Sequence, residues 1–92
     1  MKNPLQKLLR FETQNIHGVK VIDSDTHQKW SDLFHKVPFE SRNGAFLEFD
    51  QYLVEVEGKE ELFYTRGKSA HDDIEKFVIS QRGVKPGRII YV

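Results

Sequence analysis

Apolar residues recur along this chain with two periods, one of about 3.6 residues and one of two. Trp30, Leu33, Phe34 and Val37 fall at i, i+3, i+4 and i+7, the buried stripe of an amphipathic helix. Ser24 or Asp25 is placed to cap it, Gln28 follows Asp25 at capping-box spacing, and Pro38 ends it. A second stripe, Ala70, Ile74, Phe77 and Val78 continued by Gln81, carries both of its end signals. Ser69 stands at the N-cap, Asp72 and Asp73 in the first turn, Arg82 in the last turn and Gly83 just beyond. A weaker stripe, Leu5, Leu8 and Leu9, follows Asn3 as cap and Pro4 at the first helical position. It predicts a short helical segment within residues 1–16 that packs on the rest of the domain.

Between the helices the pattern is that of strands. Val19 to Ile22, opened by Gly18, reads as one. Ala45 to Phe49 and Tyr52 to Val56 are rich in β-branched and aromatic residues, as are Leu62 to Thr65 and the terminal Arg88 to Val92. Phe39 to Asn43 reads as a polar loop, and Lys85-Pro86-Gly87 as a turn. The buried parity changes between Leu47 and Phe49 on odd positions and Tyr52, Val54 and Val56 on even ones. A continuous strand therefore requires a bulge or tight turn at Asp50-Gln51. A three-residue loop, Gly58-Lys59-Glu60, would pair Val56 with Leu62 and Val54 with Tyr64.

After the first helix the order is strand, helix, two or three strands, helix, strand. That order predicts an α+β domain: an antiparallel sheet of four to five strands with two helices on one face, the split βαβ or ferredoxin-like plan. The 92 residues are expected to form one domain. Lys and Arg number 14 and Asp and Glu 14, so the formal charge is zero, and the basic excess of a dedicated phosphate binder is missing. With no cysteine, disulfides, thiolate metal sites and a Cys nucleophile are excluded. The first seven residues lack the apolar run of a signal peptide, so an intracellular, cytoplasmic protein is the expectation.

Four constellations along the chain carry residue types suited to chemistry. Arg42 to Phe49 partly resembles the aromatic octapeptide of RNA-recognition motifs, whose sheet aromatics stack exposed bases. The resemblance covers eight residues, places Gly44 where that family has an aromatic, and is followed by a further hairpin arm. It implies a single-stranded RNA surface using Phe46, Tyr52 and Phe63 beside Arg42. Thr65-Arg66-Gly67-Lys68-Ser69 is similar to the end of a P-loop, but Leu62 stands where the wrapping glycine is required. Asp23-Ser24-Asp25 follows a strand, where Mg²⁺-binding carboxylates of small nucleases emerge, an analogy of fold alone; helix capping accounts for these residues adequately. His27 and His35 lie about 12 Å apart along a helix, too far to share a metal, and all four histidines read as surface residues.

No catalytic residue, metal site or cofactor emerges from these patterns. Phe11, Phe39, Phe46, Phe63 and Tyr91 exceed what the core stripes require, and exposed aromatics beside arginines form interface hot spots. The expectation is a small non-enzymatic protein-binding module, an inhibitor or adaptor acting on a larger protein complex. Its contact residues would be drawn from Arg42, Phe46, Tyr52, Phe63, Arg66, Lys68, Arg82, Lys85 and Arg88. Chains of this size and makeup are typical of phage-encoded or other mobile-element antagonists of host machines. The alternatives are the RNA binder, alone or within a ribonucleoprotein, and a small metal-dependent nuclease.

Overall fold

A computed structural model describes residues 4–42, 44–45 and 47–92. Asn3 and Phe46 lie outside the described residues, and with them the first helix cap and one expected contact residue. In chain order the elements are α1 (Pro4–His17), β1 (Val21–Asp23), α2 (Ser24–Lys36), a 3₁₀ turn at Phe39–Ser41, β2 (Asp50–Val56), β3 (Lys59–Thr65), α3 (Ala70–Arg82) and β4 (Ile89–Tyr91).

The helices end where side-chain chemistry stops them. The carboxylate of Asp23, one residue ahead of the expected caps, accepts from the Thr26 backbone N–H at 2.8 Å. Gln28 forms no capping box; its amide donates to Asp32 one turn on. Helix α2 stops before Pro38, with Trp30, Leu33, Phe34 and Val37 all buried. At the other end of the chain Gly83 takes the left-handed conformation and its N–H closes α3 onto Ile79. Ser69 occupies the N-cap of α3 without a side-chain cap bond.

The four strands form one antiparallel sheet in the order β1-β3-β2-β4. The α+β class and the antiparallel sheet are as expected; the ferredoxin-like order is met only in part. That plan seats the last strand beside the first, whereas β4 here pairs with β2. The loop after α3 is what diverts it: Gly87 N–H donates to the Glu55 carbonyl, and Glu55 N–H to the Arg88 carbonyl.

The β2–β3 register also departs from expectation. Val56 pairs with Lys59, Val54 with Glu61 and Tyr52 with Phe63. The connection is the two-residue turn Glu57-Gly58, with φ of 52° and 79°. Two positive φ values mark the turn whose twist matches the strands it joins. The slip relative to the expected pairing is an odd number of residues, so every β3 side chain changes face. Phe63, expected as a contact residue, is therefore 1% exposed in the core, and Tyr64 and Leu62 point the other way. No bulge is needed at Asp50-Gln51, because Leu47–Phe49 lies outside the sheet and β2 begins at Asp50.

Burial divides into two clusters. Val21, Val54, Val56 and Phe63 meet Ile74 and Val78 of α3, with the Phe63 and Phe77 rings 5.8 Å apart. Leu9 and Ile16 of α1 meet Trp30, Leu33, Phe34 and Val37, with Leu47 and Phe49 packed alongside. The two sheet-facing helices consequently take opposite sides. Helix α3 covers the Phe63 face, whereas His27 of α2 stacks on Tyr64, whose side chain leaves the other face.

Candidate protein-binding face

Residues opposed across antiparallel strands share a face, so the register sorts the sheet. Tyr52, Val54, Val56 and Phe63 lie under α3. The opposite face carries Ile22, Tyr64 and Gln51 in one row, then Leu62, Leu53 and Ile90 in the next, then Glu60 and Glu55. Ile22 is buried, and the Tyr64 ring lies flat against His27 at 3.7 Å between centroids. Leu62 and Leu53 are half-buried and Ile90 is 42% exposed, and all three belong to neither core cluster. An aliphatic row thus runs across three strands, bordered by a shallow groove that Glu55, Glu60 and Arg88 line with Leu53 and Ile90.

Among the described residues, the expected contact residues are spread over different faces and elements. Arg42 is spent at the end of α2, where its Nε–H donates to the Val37 carbonyl and its guanidinium sits 4.4 Å over the Phe34 ring. Arg66 acts likewise on α1, donating to the carbonyl of His17 at 3.1 Å. Arg82 makes a two-pronged ion pair with Glu61, both bonds 2.9 Å. That pair holds the Glu61 carboxyl below its ordinary pKa, the hydrogen bond from Arg82 outweighing desolvation. Lys68 and Lys85 are exposed. Because Arg82 is bound to Glu61, on the α3 side by register, and Arg88 lines the groove on the other, Arg82 and Arg88 are split between faces.

Tyr52 is half-buried on the α3 side, with Tyr91 and His71 rings 5.2 and 5.9 Å away. Its phenol pKa is raised, by desolvation first and by Asp50 and Tyr91 after it. With Phe63 interred and Tyr52 beside α3, the two described aromatics expected to stack bases form no open platform. Of the other unplaced aromatics, Phe11 (58%), Phe39 (82%) and Tyr91 (65%) are exposed on different elements.

Asp23, weighed as a metal ligand, is occupied as the α2 cap. Desolvation pushes its pKa up, but the hydrogen bonds from Thr26 prevail and hold it below its usual value, aided by Arg82 and Lys29. Among the described residues, no three His, Asp or Glu side chains are grouped to hold a metal ion. No described helix is long and apolar enough to cross a membrane.

Sequence reasoning missed two features. His27, expected at the surface, is half-buried against Tyr64, Phe49 and Trp30, and burial lowers its pKa. The Leu62–Leu53–Ile90 row was hidden by the wrong register; a two-residue turn at Glu57-Gly58 would have aligned it. Comparison with protein-family models, curated proteins and solved structures finds no match for this chain.

Proposed function

We propose that this chain is a small non-enzymatic protein-binding module that docks on a larger protein complex through its partly uncovered sheet face. The observation carrying this reading is the aliphatic row Leu62–Leu53–Ile90, which spans three strands and joins neither core. Contiguous apolar surface at the centre with charged residues at the rim is the anatomy of a protein interface. Here Glu55, Glu60 and Arg88 supply the rim. The partner expected is a protein surface with an aliphatic centre, and the acidic rim disfavours nucleic acid by repelling phosphate. An inhibitor or adaptor working inside the cell is the role that fits a module of this size.

The test compares affinity capture by the tagged full chain with capture by a Leu53→Lys, Ile90→Lys variant, followed by mass spectrometry. Capture of one stoichiometric complex that the variant loses, while its circular dichroism is unchanged, supports the reading. Undiminished capture by the variant, or recovery of nucleic acid alone, overturns it.

A further inference from the structure

The two edge strands of the sheet, β1 and β4, are finished differently. On β1, Val21 and Ile22 are buried, whereas on β4 Ile90 and Tyr91 are exposed. Helices α2 and α3 both pack chiefly on β1 and β3, the half of the sheet away from β4. A lysine or proline within an exposed edge strand is a usual guard against pairing with another chain, and Ile89-Ile90-Tyr91 contains neither.

Hydrogen-bond parity leaves the outer side of β4 free. The Val92 N–H donates to the Gln51 carbonyl, and the Glu55 N–H to the Arg88 carbonyl. Backbone bonding alternates along an antiparallel strand, so Ile90, between them, also turns its backbone groups to β2. Ile89 and Tyr91 therefore direct their N–H and C=O groups outward, where no described residue meets them. Side chains alternate in the same rhythm. Ile90 ends the Leu62–Leu53–Ile90 row on the open face, and Ile89 and Tyr91 stand on the α3 side opposite Val54 and Tyr52.

We propose that β4 pairs antiparallel with β4 of a second copy of this chain, about a two-fold axis passing beside Ile90. In that register Ile89 opposes Tyr91 of the second copy. These are the residues whose backbone groups point outward, so each such pair exchanges both of its N–H···O bonds. The two Ile90 side chains meet at the axis as a non-hydrogen-bonded pair, the kind with the closer side chains. The open-face row then runs unbroken from Leu62 of one copy to Leu62 of the other. Arg88 comes to lie beside Val92 of the second copy, so no like charges are opposed. A slip of one residue would set outward groups against groups already bonded to β2. One strand used twice thus satisfies backbone parity, apolar contact and charge, as a two-fold contact requires. Because β4 is short, the pairing is weak and depends on concentration.

Sedimentation equilibrium of the full chain, from micromolar to millimolar, should show the mass rising from one chain toward two. Tyr91→Pro deletes an N–H that no intrachain bond uses, and leaves Leu62, Leu53 and Ile90 in place for any other partner of the open face. That variant should remain monomeric throughout. Amide hydrogen exchange of the unaltered chain supplies a readout that needs no variant to fold. The Ile89 and Tyr91 amides should exchange severalfold more slowly as concentration rises, while those of Ile90 and Val92, already bonded to β2, keep their rates. A chain monomeric at millimolar concentration, which would leave this edge to a strand of some other protein, overturns the proposal. So does a dimer that folded Tyr91→Pro retains, or exchange at Ile89 and Tyr91 that ignores concentration.

Discussion

Truncating Phe63 to alanine separates the core role found for this residue from the contact role its sequence context implies. Phe63 is 1% exposed, opposes Tyr52 across the sheet, and meets Ile74, Val78 and the Phe77 ring. Removing a fully buried phenyl forfeits its transfer energy and leaves a cavity, together about 3–5 kcal/mol. A domain of this length is held by roughly 5–14 kcal/mol in total, so the loss is about a fifth of the whole or more. With a urea slope of about 1.5 kcal/mol/M, the midpoint falls by about 2–3 M. The contrasting variant is Leu53→Ala on the opposite face, half-buried and outside both clusters, for which about 1 kcal/mol is expected. Urea unfolding followed by circular dichroism measures both. A Phe63→Ala loss below about 1 kcal/mol at unchanged slope would refute the register, since only that register places the ring inside.

Three further outcomes follow from local features. The Thr65 hydroxyl is buried without a hydrogen-bond partner among the described residues, so Thr65→Val should raise stability by about 1 kcal/mol in the same urea assay. Among the described residues Glu57 is the non-glycine residue held at positive φ, so Glu57→Gly should be stabilising by about 0.5–1 kcal/mol, and a loss would contradict the turn assignment. His27 titrates with its pKa lowered from 6.5 by burial, so the unfolded chain takes up the proton first as pH falls. Stability should be full above that value, decline as pH drops below it, and level off once the depressed folded value is passed; His27→Phe should flatten this part of the profile in urea midpoints taken from about pH 7.5 to about pH 5.

The core stripes of α2 and α3 were readable because helical spacing and end signals are local chemistry. Trp30, Leu33, Phe34 and Val37 are buried together, and Gly83 closes α3 in the left-handed region as its position implied. The contact residues were not readable, because the partner of an arginine is a tertiary fact. Arg42 and Arg66 stand beside aromatic and turn residues in sequence, yet in space each meets the carbonyl end of a helix. Arg82 meets Glu61 across 21 positions of chain.

By itself the sequence determined the helices, an antiparallel sheet and the approximate chain order, since periodicity, caps and turn residues act within a few positions. Tertiary structure alone decided which side of the sheet each strand residue faces, that β4 joins β2, and that the two sheet-facing helices lie on opposite sides. The physical reason is parity. Side chains alternate along a strand, so the exact length of one turn, set by the backbone at Glu57-Gly58, decides whether Phe63 or its two neighbours enter the core.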